Sequence, residues 1–178
     1  DKGPVFLIVL DCLRYDQWRV LQPEFSKYFF IEEDDCYFSI LPTATQFSRN
    51  AIFAGLLPSE IKKRYPDYWV DENKEERKNE FEADLLDKLL KRSNKGNRKT
   101  SFSKITNLYS AKKLLDNFHQ LKQNDLNVIV YNFVDSLSHA RTDFKVIREL
   151  ADDEKGYRSI TKSWFENSPL LEMLKLLK

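Results

Sequence analysis

A chain of 178 residues has room for one domain with a sizeable core, because single domains commonly hold ~100–200 residues. Its 42% hydrophobic and 32% charged residues, with only 4 Gly and 6 Pro, exclude a disordered or fibrous chain. Lys plus Arg (29) nearly cancel Asp plus Glu (28), so net charge gives no ground for a nucleic-acid or membrane partner, and any polyanion must be held by a local site.

The chain opens on Asp1 rather than Met and enters an unbroken apolar run, Val5 to Leu10 (VFLIVL), almost at once. Such a run predicts a strand buried on both faces, as at the centre of a parallel sheet. Asp11 stands at its carboxyl end. Cys12 follows, and with Cys36 it makes only two cysteines, too few for a disulfide framework and without zinc-motif spacing. Both read as small buried side chains in a reducing setting.

A β-type stretch from Tyr37 to Leu41 leads into Pro42, which biases the residue before it to extended backbone. Thr43 to Ala54 reads as a turn entering a helix, with Gly55 as its stop. Glu60 to Lys78 is charged, aromatic and irregular, and predicts loops with one short helix. Phe81, Leu85, Leu86, Leu89 and Leu90 mark an amphipathic helix, and Ala111, Leu114, Leu115, Phe118 and Leu121 mark another. Between them lie a basic turn, Ser93 to Lys99, and a strand near Ser101 to Ile105.

Asn127 to Val134 (NVIVYNFV) is the second strong buried strand, and it too runs into an acid, Asp135. Helical patterns resume after Thr142. The last of them has Leu170, Met173, Leu174 and Leu177 at i, i+3, i+4, i+7 and stops without a Gly or Asn cap. The expectation is therefore the N-terminal portion of a larger domain, with 1–178 forming one unit. No apolar run approaches the ~18 residues of a membrane span, and no secretory leader opens the chain, so a cytoplasmic protein is expected.

Strands alternating with helices long enough for crossovers predict an α/β fold, a mostly parallel central sheet flanked by helices. In such sheets ligands collect at the carboxyl ends of the strands. That rule singles out Asp11, the segment after Leu41 and the segment after Val134. Asp135 and His139, four residues apart, can both reach one hard or borderline cation, since zinc accepts O and N ligands together; a helix cap or loop acid is the plainer account of Asp135.

Thr43 and Thr45 stand at a predicted helix start, where backbone N–H groups and the positive end of the dipole favour a phosphate ester or an alkoxide. Simple N-capping suits Thr43 better. Gln46, Arg49 and Asn50 follow on the same helix as candidate phosphate contacts, with an exposed helix face as the alternative. Lys95, Arg98 and Lys99 form a loop that can steer an anion or merely be solvated. Asp16, five residues after Asp11, does not supply the Asp-x-Asp of haloacid-dehalogenase phosphatases.

Asp11 at the end of VFLIVLDCLRYD, a Pro-Thr-x-Thr turn continuing to Gly55 and Pro58, and the downstream VDSLSHAR together resemble the PglZ domain of the alkaline-phosphatase superfamily. In particular they resemble the C-terminal effector part of PorX-type response regulators. The resemblance runs along nearly the whole chain and implies an alkaline-phosphatase-like fold. It implies Thr45 as nucleophile and metal ligand, Asp11 as ligand of the metal that activates it, and Asp135 and His139 as ligands of a second metal, with two divalent ions of the zinc type.

By the same resemblance, the partners are a nucleotide or oligonucleotide phosphoester substrate, an N-terminal receiver domain, the remainder of the same domain and, as an option, a second copy in a homodimer. The setting implied is a two-component regulator linked to type IX secretion. Such sites also use a late Asp-His pair and a further His. Here the only histidines are His119 and His139, and His119 lies on a predicted amphipathic helix, where a surface role is expected. The 178 residues alone are therefore expected to bind metal weakly and to be poorly active. A non-catalytic dimerising or partner-binding output module is the rival reading.

Overall fold

The computed structural model describes residues 3–69 and 79–178. The part of the predicted Glu60 to Lys78 loop that falls on 70–78 lies outside the described residues. Contacts divide the chain into two compact units, one formed by Asp1–Cys36 with Thr100–Lys178 and the other by Tyr37–Lys99.

The first unit is built on three parallel strands in the order β1-β3-β2: β1 Val5–Leu10, β2 Thr100–Ile105 and β3 Leu126–Tyr131. Around them run α1 Tyr15–Phe25, α5 Leu108–Asp116, α6 Phe118–Leu121, α7 Phe133–Asp143, α8 Lys145–Leu150, α9 Glu154–Glu166 and α10 Pro169–Leu177. This is the expected α/β class, a small parallel sheet flanked by helices, consistent with an alkaline-phosphatase-like fold.

Strand alternation sends Phe6, Ile8 and Leu10 of β1, Ile105 of β2, and Ile129 and Tyr131 of β3 into one core. There they meet Leu21 of α1, Phe165 of α9, and Leu170, Met173 and Leu174 of α10. Each fully buried aliphatic or aromatic side chain of this kind contributes about 1.5–3 kcal/mol. A smaller cluster of Leu137, Ala151 and Tyr157 ties α7, the α8 end and α9 together.

The central strand carries a buried amide, Asn127, whose bonds are all internal. Its Nδ2 donates to the Leu121 carbonyl at 2.8 Å, and its Oδ1 accepts from Ser101 Oγ (2.6 Å) and Asn124 Nδ2 (2.8 Å). A polar group at that depth is tolerable because it is satisfied. Helix starts are capped as the chain chemistry requires: Asn107 Oδ1 accepts from Ser110 N–H at 2.8 Å, and Asp153 Oδ1 from Gly156 N–H at 2.6 Å. The expected C-terminal amphipathic helix is α10, with Leu170, Met173 and Leu174 buried.

The elements of the first 36 residues and of the later chain depart from the sequence reading in several respects. β1 is an edge strand whose Val5 and Leu7 are 58% and 38% exposed; a continuous apolar run does not reveal how many neighbours its strand has. β3 stops at Tyr131, three residues short of Val134, because Ser136 N–H bonds the Asn132 carbonyl and α7 takes over. The single helix expected over Ala111 to Leu121 is broken at Asn117, whose Nδ2 bonds the Lys113 carbonyl at 2.8 Å. Tyr37 to Leu41 forms no strand. Cys12 and Cys36 are exposed, not buried.

The second unit contains α2 Thr45–Ala54, α3 Pro58–Arg64, a single 3₁₀ turn at Pro66–Tyr68 and α4 Glu82–Arg92. Phe53, Ala54, Ile61, Leu85 and Leu86 are its buried apolar residues. Gly55 ends α2 as predicted, in the left-handed conformation (φ 57°), with its N–H bonded to the Ala51 carbonyl at 2.8 Å. Asn94 and Cys12 are the non-glycine residues with positive φ among those described.

Candidate metal centre

Parallel register places Leu10 opposite Tyr131, and the Asp11 N–H donates to the Tyr131 carbonyl at 2.9 Å. The ends of β1 and β3 are thereby level, and the next residues of each strand emerge side by side. Asp11 is 6% exposed. Cys12 then takes a left-handed conformation, φ 61°, uncommon for a residue with a side chain. Its thiol donates to Asp135 Oδ1 at 3.2 Å.

Asp135 is in the first turn of α7 rather than at a strand end, and the helix start holds it over the sheet edge. One donor atom each from Asp11, Cys12 and Asp135 lie within 4.8 Å of one another. Two carboxylates and a thiol suit a borderline divalent cation such as zinc, which takes O and S donors together. The donor set thus fits the kind of ion expected from the sequence.

His139, one turn further on α7, brings Nε2 to 3.6 Å from Asp135 Oδ1, with its side chain 77% exposed. It lies beside Asp135 but outside the tight trio. Cys12 is the member that sequence reading did not select as a ligand. Its signal was present: a residue directly after an acid at a strand's carboxyl end has left the core and shares that acid's position on the sheet edge.

The segment after Cys12 is fixed by polar contacts. The Gln17 side chain, fully buried, accepts from the Arg14 N–H at 2.9 Å and donates to Thr161 Oγ1 at 2.9 Å. The Arg14 guanidinium bonds Asp16 and Glu154 and lies 5.1 Å from the Tyr157 ring centre, while Arg141 lies 5.2 Å from the same ring and bonds Glu154. Burial pushes the Asp16 carboxyl up, but Arg14 and Arg158 together hold it below its usual range. Hydrogen bonds from Arg14 and Arg141 lower Glu154 likewise.

In the second unit Thr45 is the first residue of α2 and half-buried, as the predicted helix start required. The N-cap is Ala44, whose carbonyl accepts from the N–H groups of Phe47 and Ser48. Thr43 therefore does not cap the helix, contrary to the expectation for it; it is exposed. Gln46 is half-buried and Asn50 buried.

Arg49 is 4% exposed and forms a two-pronged pair with the fully buried Glu82, Nε to Oε1 at 2.7 Å and Nη2 to Oε2 at 2.7 Å. Its guanidinium holds α2 to α4. Neither an exposed helix face nor a contact read from α2 alone would have identified that partner. His119 is exposed, as expected, and so is the basic loop of Lys95, Arg98 and Lys99.

No helix among the described residues is long and apolar enough to cross a membrane. No curated protein matches the chain at a significant level. Among protein families, residues 1–177 match the BREX system PglZ alkaline phosphatase-like domain. With nearly every residue inside that match and a parallel sheet presenting an acidic, metal-competent edge, the chain belongs to the PglZ family of alkaline phosphatase-like domains.

Proposed function

We propose that the chain works as a metal-dependent phosphodiesterase or phosphatase on nucleotide-type phosphate esters, with Thr45 as nucleophile and Asp11, Thr45, Asp135 and His139 as ligands of two divalent ions of the zinc type. The observation that carries this reading is the convergence of Asp11, Cys12 and Asp135 at the carboxyl ends of β1 and β3 in a chain of an alkaline phosphatase-like family.

Bound divalent cations would supply Lewis acidity, lowering the pKa of a coordinated oxygen and offsetting charge on the phosphoryl group. The chain's own residues supply the rest. Thr45 stands at the start of α2, where the positive end of the helix dipole favours negative charge, so an alkoxide and the phosphoryl oxygens are both stabilised there. The Thr45 hydroxyl gives its proton to solvent, Oγ1 forms a bond to phosphorus as the bond from phosphorus to the ester oxygen breaks, and the departing oxygen takes a proton from solvent. Water then cleaves the phosphothreonine, returning the hydroxyl and releasing the phosphate product. Asp11, buried, and Asp135, in the first turn of α7, are the pre-positioned ligands of this reading, and His139, one helical turn on, lies beside Asp135 with its side chain exposed.

The reading extends, on sequence resemblance alone, to a receiver domain preceding this chain in a two-component regulator tied to type IX secretion. A second reading, a non-catalytic output module, draws support from exposed Tyr37, Phe38, Ile52 and Leu57 around a groove of about 580 Å³ in the second unit.

The test is hydrolysis of a chromogenic phosphodiester by the complete protein. Activity abolished by a chelator, restored by zinc and absent in Thr45→Ala supports the enzyme. Full activity in Thr45→Ala removes the nucleophile, and inactivity of the wild type with an intact regulatory phenotype in Thr45→Ala favours the output module.

A further inference from the structure

β1 leaves one side of its backbone open. In the order β1-β3-β2 it pairs with β3 alone, in an unbroken register from Val5 opposite Leu126 to Leu10 opposite Tyr131, and among the described residues its outer side has no ladder partner. Natural sheets blunt such an edge with a charge, a proline, a bulge or a very short strand. Val5–Leu10 is six residues long, apolar throughout and free of bulges. On one face Val5 and Leu7 are 58% and 38% exposed, whereas Val128, the register partner of Leu7, is fully buried.

On the other face the edge opens into an apolar groove of about 290 Å³, walled by Ile8 and Leu10 of β1, Leu13 of the turn that follows, and Trp18 and Phe25 of α1. Asp35 is the one charged side chain among the described residues that line it. It closes an acidic run, Glu32 to Asp35, and from Tyr28 to Cys36 the chain has no Lys, Arg or His. Asp34 is engaged by Trp18 Nε1 at 2.7 Å, Gln22 Nε2 at 2.8 Å and Arg19 Nη1 at 3.3 Å. Glu32, Glu33 and Asp35 are exposed and form no ion pair among the described residues; Asp35 Oδ1 accepts from the Cys36 N–H at 2.7 Å. The nearest cation before the run, Lys27, is paired with Glu24.

We propose that the outer edge of β1 is a docking surface for a basic strand, an extended segment of a partner protein that continues the sheet, with apolar side chains in the groove and Lys or Arg side chains over Glu32, Glu33 and Asp35. The open backbone takes a strand and not a helix, because only extended chain matches its alternating N–H and C=O groups. The acidic rim selects the charge: an acidic strand, a nucleic acid or an anionic membrane is repelled from it. A second copy joined through β1 would bring its own acidic run to the same rim and is disfavoured for that reason. None of these residues belongs to the Asp11, Cys12 and Asp135 trio, so docking needs no metal.

The test uses the complete protein and two fluorescein-labelled synthetic peptides, KKVTVTVK and EEVTVTVE, with affinity read by fluorescence anisotropy and location by hydrogen exchange and mass spectrometry. The basic peptide is expected to bind at least about tenfold more tightly than the acidic one, to weaken as salt rises, and to slow exchange across Val5–Leu10. In the triple variant Glu32→Gln, Glu33→Gln, Asp35→Asn, which alters exposed side chains and whose melting temperature checks its folding, the affinity for the basic peptide falls at least about fivefold while that for the acidic peptide does not fall. A chelator changes none of these results. The proposal is overturned if the basic peptide does not bind, if both peptides bind alike, if the triple variant binds the basic peptide as well as the wild type does, or if protection falls outside Val5–Leu10. It is overturned equally if Val5–Leu10 of the free protein exchanges as slowly as Leu126–Tyr131 of β3, because another part of the chain or a second copy then holds the edge.

Discussion

The thiol of Cys12 donates a hydrogen bond to Asp135 Oδ1, 3.2 Å away and 123 residues further along the chain. It joins the turn after β1 to the first turn of α7, and it places sulfur among carboxylate oxygens at the sheet edge. Three donor atoms so close together without a cation would be an unfavourable gathering of negative charge once ionised, and a divalent ion relieves it.

A divalent ion held by these residues, as proposed, is sensitive to their replacement. Asp11→Asn and Asp135→Asn are each expected to weaken zinc binding by at least about tenfold, measured by calorimetry. The cobalt-loaded wild type is expected to show a sulfur-to-metal charge-transfer band that Cys12→Ser lacks. A cobalt spectrum identical in wild type and Cys12→Ser would remove the thiol from the ligand set.

Arg49 and Glu82 form a buried pair between α2 and α4. Arg49→Ala leaves the Glu82 carboxylate without that charge partner in a site closed to water, a loss of about 3–5 kcal/mol. The double variant Arg49→Leu with Glu82→Leu is expected to recover much of it. Chemical denaturation of the three proteins checks both statements.

Gly55 is the one glycine whose φ, 57°, calls for the left-handed region, and a Cβ there would lie 2.8 Å from Leu89 Cδ1. Gly55→Ala is expected to destabilise the protein by about 1–2 kcal/mol through the left-handed backbone alone, with the Leu89 contact adding to it. A lowered melting temperature with unchanged helix content would fit this account, and an unchanged melting temperature would not.

The Asp16 carboxyl lies below its ordinary range because Arg14 and Arg158 outweigh the cost of its burial. A lowered folded-state pKa means that the unfolded chain binds the proton first. The stabilisation is therefore complete above the unfolded value of about 3.9 and lost as pH falls through the lower, folded value. With the side chain 38% exposed, solvent screening limits the contribution to about 1 kcal/mol. Asp16→Asn is expected to be less stable than wild type at neutral pH, with the two curves converging below the carboxylate range.

Much of the fold was readable from local pattern. Val5 to Leu10, Thr45 to Ala54 with its Gly55 stop, and the apolar stripe through Leu170 and Met173 all announce themselves within a few residues. What escaped depends on distant partners. The exposure of Val5 and Leu7 follows from β1 lying at the sheet edge, which no feature of the run encodes. The pairing of Arg49 with Glu82 spans 33 residues.

The site divides the same way. The meeting of Asp11 and Asp135 was legible because each follows a strongly apolar strand, whereas His139, singled out by its helical spacing to Asp135, lies outside the tight trio. Cys12 escaped because its exposure comes from a left-handed turn, and the side-chain chemistry of cysteine by itself favours burial.

The most direct measurement of the central claim is acid quenching of the complete protein during turnover of a phosphoester, followed by peptide mass spectrometry. The account predicts a phosphoryl group on Thr45, present in the zinc-loaded enzyme and absent after chelation. Steady turnover with no label on Thr45, or with the label on another residue, would contradict it.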